Sequence, residues 1–361
     1  MIHPRRTPRL ILMAALLLAA LALAGCSGNV LTGVSWPGLA SQGTTVYVAF
    51  NSHLHAIDAT NGREQWRFPT EVDRKLTMFA PPAISEDGAT LYLGAYDNHV
   101  YALDAARGTV VWDAEVATDR IIGSPVVYGD LLLVPSSDDF LYALNRTSGA
   151  LAWQVETTGE LWAPPAVEGD IAYQAILRHE LLALDLKTQQ PVWQVNLGGA
   201  MAGPPALTED LLIIGNFVNG MRAVAKDSGQ DRWGYRDDGW IWSSPMVSEG
   251  QVVFGDDQGW LTALNEADGR EVWRTQLEGG ITASPLAIDG QVFAVTRGGH
   301  AYARSLADGS PVWQQTFEGE LNSTPILVDG KLMVASMSGD TLLRALDPAN
   351  GQVIWSFVPQ K

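Results

Sequence analysis

The sequence predicts an all-β chain, an eight-bladed β-propeller built from four-stranded antiparallel blades. Three observations predict it. An eleven-residue pattern, seen at Ala102 to Trp112, recurs eight times, opening at Ala56, Ala102, Ala143, Ala183, Ala223, Ala263, Ala303 and Ala345. Each alanine is followed ten residues later by a tryptophan: Trp66, Trp112, Trp153, Trp193, Trp233, Trp273, Trp313 and Trp355. Those tryptophans are 46, 41, 40, 40, 40, 40 and 42 residues apart, and a period near forty with short alternating strands is that of a propeller blade.

Each unit carries the same parts in order. A short apolar strand starts at a proline (Pro37, Pro82, Pro125, Pro165, Pro205, Pro245, Pro285 or Pro325), a residue tolerated at a strand start because it has no N–H to donate. A Gly/Asp turn such as Tyr128-Gly129-Asp130 leads to a second strand, Leu131 to Val134 in unit three. A third strand such as Phe140 to Leu144 contains the repeated alanine. The last turn uses Asp or Asn two residues after the alanine, whose side chain caps the turn backbone, with glycine four residues later for a left-handed position. The fourth strand carries the tryptophan. Gln189 replaces the glycine in unit four, and Ala225 and Ser305 replace the Asp in units five and seven, so looser turns are expected there.

The motif is similar to the tryptophan-docking motif of pyrroloquinoline-quinone-type repeats, and the resemblance covers Trp36 to Lys361. It implies eight blades in a closed ring, each tryptophan packing between neighbours against the small alanine. Residues 36–361 are therefore read as the propeller, 1–25 as a signal peptide and 26–35 as a tether. Arg5, Arg6 and Arg9 precede an apolar run too short for a comfortable membrane span. The run closes on Leu23-Ala24-Gly25-Cys26, which resembles the lipobox of bacterial lipoproteins, with Cys26 as the lipidated residue and an address in the extracytoplasmic cell envelope. Cys26 is the sole cysteine, which excludes intramolecular disulfides and cysteine-based metal sites or nucleophiles. A net charge of −17 makes nucleic acid a poor partner.

The docking motif names a fold and predicts no chemistry by itself. Quinoprotein alcohol dehydrogenases would bring a calcium held by Glu and Asn, a catalytic Asp and adjacent cysteines, whereas this chain has one cysteine and no long insertions. No pyrroloquinoline quinone is expected, and no catalytic residue is assigned. His53, His99 and His300 share one repeat position, too far out along the blades to converge on a metal. Asp138-Asp139, Asp237-Asp238 and Asp256-Asp257 sit in turns, where solvation suffices; a loosely bound calcium is the alternative.

The units differ in the segments crossing from each tryptophan strand to the next proline. These crossings share one face of the ring and rim its funnel. Arg74, Lys75, Phe79, Arg120, Glu160, Trp162, Met201, Trp240, Trp242 and Asn322 form the candidate partner-binding rim, of a composition that protein contacts favour. Signal, lipidated cysteine and eight blades resemble the BamB family, propeller lipoproteins of the outer-membrane protein assembly machine. That resemblance implies a non-catalytic, monomeric scaffold that binds envelope proteins and is anchored through Cys26. The alternative is a quinoprotein-type oxidoreductase or small-ligand sensor using the funnel. Two features depart from the family pattern. The crossings at 158–164 and 237–245 lack its L-x-L-R-G segment. The final unit also has its own fourth strand, Gln352 to Val358, where the family completes the last blade with an N-terminal strand.

Overall fold

The computed structural model describes residues 31–32, 35–73, 75–218 and 220–360. Among them, eight four-stranded antiparallel sheets follow one another along the chain, at 38–68, 83–115, 126–156, 166–196, 206–235, 246–276, 286–316 and 326–357. They are the blades of a β-propeller, numbered one to eight here. Within each blade the strands pair in sequence order, so every connection is a hairpin. First strands begin one residue after the predicted prolines, as at Val126–Tyr128 and Met246–Ser248. First strands of neighbouring blades lie against each other and line the centre. Fourth strands are outermost and alternate exposed with half-buried residues, as at Val110–Glu115.

The core is divided among the blade junctions. Eight apolar clusters each draw on two adjacent blades, and one of them joins blade eight to blade one through Val48, Ile57, Met333 and Ala345. A lone blade therefore has both faces bare, and the ring is the unit that buries them. Among the described residues no strand is exchanged at closure, because Val353–Phe357 completes blade eight. Residues 31–32 instead pair with Ser338–Gly339 in a separate two-residue ladder.

Each docking tryptophan sits opposite its motif alanine in its own blade, as Ala102 faces Trp112. Across the junction the indole meets a glycine. A Cβ on Gly108 would lie 2.3 Å from Trp66 Cε3, and one on Gly269 would lie 2.5 Å from Trp233 Cε3. Glycine is thus required twice over, for a φ of +68° at Gly108 and for the approach of the ring. In seven junctions the indole Nε1 donates to the carbonyl just after the motif Asx position, from Trp273 to Leu306 at 2.8 Å and from Trp355 to Ala59 at 2.9 Å among them. Burying an indole of about 150 Å² is worth at most about 4 kcal/mol per junction.

Junction three to four differs. Gln189 occupies the glycine position with φ +57°, and its Nε2 donates to the Leu186 carbonyl at 3.0 Å, the acceptor that Trp153 would otherwise use. The looser turns expected in units four, five and seven are not found. Gln189 N, Gly229 N and Gly309 N donate to the carbonyls of Asp185, Ala225 and Ser305 at 2.8, 2.8 and 2.9 Å. The backbone bond closes the turn whether or not an Asx side chain caps it.

Candidate functional site

The crossings obey a two-residue alternation set by one backbone bond. The residue opening each second turn donates its N–H to a crossing carbonyl. Ser137 donates to Arg120, Leu177 to Glu160, Phe217 to Ala200, Asp257 to Trp240 and Met337 to Glu320, at 2.8 to 3.1 Å. The next crossing residue points down into the junction: Ile121, Leu161, Met201, Ile241, Ile281 and Leu321 are all 0 or 1% exposed. The residue after that turns to the funnel. Ile122, Trp162, Ala202, Trp242, Thr282 and Asn322, with Trp36, line a central cavity of about 70 Å³.

Met201 is therefore not a rim residue. It occupies the inward position, buried with Leu197 and Ile214 in the core between blades four and five. Residue 74 lies outside the described residues, as does Cys26. Lys75 is exposed in the loop after Phe68, its N–H donating to Asp73 Oδ1 at 2.9 Å.

The remaining rim residues form an aromatic mouth with polar edges. Trp36 packs edge-on against Phe79, at 5.9 Å between ring centres, and against Trp242 of a non-neighbouring crossing, at 6.2 Å. Phe79 stacks on Tyr96 at 4.3 Å, and the Arg120 guanidinium lies 5.3 Å from the Tyr96 ring centre. Phe217 lies under both Trp240 and Trp242, at 5.6 and 4.5 Å. Trp240 is half exposed, and its backbone N–H donates to Asp257 Oδ1 at 2.7 Å. Trp162 Nε1 donates to Glu160 Oε2 at 2.8 Å.

Beside this cluster opens a cavity of about 270 Å³ lined by Trp36, Trp240, Trp242, Arg297, Glu320 and Met337, among others. Its polar groups have partners: Arg297 Nε lies 3.6 Å from Glu320, and Thr282 Oγ1 donates to Asn322 Oδ1 at 3.1 Å. Tyr96, Phe217, Arg297 and Met337 were missed in the sequence. They share the second-turn position with Ser137, Leu177 and Asp257, so superposing the units at their forty-residue period would have found them.

The three repeat-position histidines have separate partners. His99 Nδ1 lies 3.5 Å from Asp113, His300 Nε2 lies 3.3 Å from Glu278, and His53 packs on His55. Burial pushes His53 down to about 4, helped by His55. Among the described residues no three His, Cys, Asp or Glu side chains are grouped to hold a metal ion. The turn carboxylates correct an expectation: Asp237 and Asp256 are not solvated but buried, at 4 and 0% exposure. Their side chains face Arg274 from two sides of one junction.

The fold has known relatives. BamB from Moraxella catarrhalis is 17% identical, with a TM-score of 0.70 over 83% of this chain and 93% of that one. The computationally designed Ika8 protein is 15% identical, with a TM-score of 0.73 over 88% of this chain and 99% of that one. The quinohemoprotein alcohol dehydrogenase from Comamonas testosteroni is 14% identical, with a TM-score of 0.72 over 90% of this chain and 74% of that one. At such identities the likeness is one of fold. No curated protein sequence matches the chain significantly. The model of the family described as outer membrane protein assembly factor BamB matches residues 22–160, 50–188, 177–265 and 257–361, which overlap to span all eight blades, and the chain belongs to that family.

Proposed function

We propose that this protein is a non-catalytic scaffold of the bacterial cell envelope that binds a protein partner on its crossing face. The observation that carries the reading is the aromatic mouth. Trp36, Phe79, Phe217, Trp240 and Trp242 come from four separate stretches of the ring and form one cluster, with Trp36 and Trp240 42 and 50% exposed. Clustered, partly exposed tryptophans with arginine at the edge are the composition of interface hot spots. Arg120, Glu160, Trp162 and Asn322 supply the polar rim around that centre. Membership of the BamB family supports a partner in outer-membrane protein assembly. The propeller is read as monomeric and the anchor as a lipid on Cys26.

The quinoprotein reading draws on the shared fold, and the residues present do not fit it. Trp36 and Trp242 meet edge-on at 6.2 Å between ring centres, and the central cavity that they line measures about 70 Å³. The oxygen donors at the mouth each have a protein partner: Asp257 accepts from the Trp240 backbone N–H, Glu320 faces Arg297 and Asn322 accepts from Thr282. The sole cysteine, Cys26, precedes the first blade.

Capture of envelope proteins by the anchored protein, compared with Trp242→Ala, tests the scaffold reading. Loss of a partner in the folded variant is expected. Stoichiometric quinone binding with alcohol or sugar turnover would refute it. Palmitate labelling that disappears in Cys26→Ala tests the anchor.

A further inference from the structure

Three departures from the repeat coincide at the junction of blades five and six. At forty-residue spacing, position 237 is occupied by Thr157, Leu197, Leu277 and Phe317, and position 274 by Gln154, Gln194, Gly234 and Gln314. Position 256 is occupied by Ser136, Ile176, Asn216, Thr296 and Ser336. None of these carries a charge, although in units one and two the position after the docking tryptophan is held by Arg67 and Asp113. Only here do an Asp from the crossing, an Asp from the end of a second strand and an Arg from a fourth strand meet.

Their bonding leaves a gap that one proton fills. Asp256 Oδ1 accepts from the N–H groups of Gln258 and Trp260, both at 2.9 Å, and Asp237 Oδ1 accepts from Gly239 N at 3.1 Å. Arg274 Nη2 lies 3.5 Å from Asp237 Oδ1 and 3.9 Å from Asp256 Oδ2, and its guanidinium is held over the Trp260 indole at 4.4 Å. The Oδ2 atoms of both aspartates are buried with no other donor in reach. Gly239 closes over one of them, since a Cβ there would lie 2.5 Å from Asp256 Oδ2. One arginine against two buried carboxylates leaves an uncompensated charge, which a buried site does not tolerate. A proton held in the side-chain hydrogen bond between the Asp256 and Asp237 carboxyl groups removes that charge.

No other charged group facing the pair supplies the compensation. Arg222, on the strand Met221–Ala225, is paired with Asp231 at 2.7 Å. The Tyr235 hydroxyl donates to Glu271 at 2.6 Å, and burial and that bond keep it protonated. Arg236 and Asp238, on the crossing itself, turn outward to line an open cavity with Gln258. Asp257 is committed to Trp240 N–H.

We propose that Asp237 and Asp256 form a proton-sharing latch, which holds the crossing that carries Trp240 and Trp242 against blade six and releases it when the shared proton is lost. Burial pushes Asp256 up to about 6; Trp260 N–H opposes that shift and the Asp237 carboxyl adds to it. The sign follows from linkage: a carboxyl raised above its unfolded value binds more protons in the folded state. The latch is complete below about pH 4 and lost as the pH rises through about 6. Above that, two buried carboxylates repel across the crossing and the indoles shift.

Only the consequence for partner capture rests on the rim reading, and the indoles can be watched in the protein alone. Fluorine NMR of the full chain labelled with fluorotryptophan, with lines assigned through Trp240→Phe and Trp242→Phe, follows both side chains from about pH 4 to about pH 8. Both lines should move with one midpoint near pH 6 while the eight docking lines stay fixed. In Asp256→Asn, whose amide donates permanently to Asp237, both should hold their acid positions throughout. In Asp237→Leu, which installs the residue of the neighbouring units, the transition should vanish, and this variant carries the test if Asp256→Asn does not fold. Lines that never move in the wild type, or a midpoint that survives in either folded variant, would overturn the latch and leave the partner-binding proposal standing. A working latch with no partner lost in Trp242→Ala would do the reverse.

Discussion

The two ends of each blade junction obey different rules. At the tryptophan turns, side chains repeat: seven indoles donate to the same turn carbonyl and lie on the same glycine. At the crossings only the backbone repeats. Its N–H to carbonyl bond recurs from blade to blade, while the funnel-facing position runs through Ile122, Trp162, Ala202, Trp242, Thr282 and Asn322. Every junction has to bury its two faces for the ring to close, so the turn end is constrained by stability. The crossing end is positioned by backbone bonds that any residue can make, which leaves its side chains free to serve recognition.

The sharpest way to break this division is at the turn glycines. Gly108→Ala places a Cβ 2.3 Å from Trp66 at a φ of +68° and should cost about 3 kcal/mol, combining backbone strain with overpacking. Gly129→Ala has a similar φ of +54° but meets no atom within 4 Å, and should cost about 1 kcal/mol. Urea unfolding midpoints separate the two. Equal losses would mean that indole contact contributes nothing beyond the backbone requirement.

A smaller effect is expected from the indole bonds. Trp273→Phe strands the buried Leu306 carbonyl and should cost about 2 kcal/mol. Trp153→Phe strands nothing, because Gln189 already donates to Leu186, and should cost about 1 kcal/mol less. If the two variants melt together, the Gln189 bond is not a substitute. Gln189→Gly relieves the φ of +57° and returns that carbonyl to Trp153, a gain of about 0.5 kcal/mol read as a small rise in melting temperature.

The same division explains what could be read from the sequence. Blade count and strand order were legible because Ala, Asx, Gly and Trp recur at fixed offsets; that the indole meets a glycine and a turn carbonyl across the junction, with the alanine opposite it in its own blade, was not. The fourth strand of the last unit was legible too, but whether the ring closes with strand exchange was not, because pairing across the closure is a tertiary fact. At the crossings, composition alone put Met201 with the rim, although its forty-residue relatives Leu161, Ile241 and Ile281 mark an inward position. Phe217 and Tyr96 escaped notice because they lie in a different stretch of each unit from the residues they stack on. The Asp237 and Asp256 pair was read as two solvated turns because burial at a blade junction is a tertiary fact. Its trace in the sequence is the charge at positions where every other full-length unit has none.

The smallest change in stability should come from the crossing end, with the largest change in binding. Trp240 is half exposed and rests on Phe217 by one face, so Trp240→Ala should move stability by no more than about 0.5 kcal/mol. Partner capture should nonetheless fall at least about tenfold, the size of effect a single interface tryptophan produces. Trp273→Phe should show the opposite pattern: it destabilises the ring but leaves capture intact once the protein is folded, because its indole lies at the turn end of the junction. Equilibrium binding and thermal melting on both variants test the division directly. If Trp240→Ala destabilised the ring as strongly as Trp273→Phe while sparing capture, the aromatic mouth would be a plug that completes the core, and the recognition surface would have to be sought elsewhere on the ring.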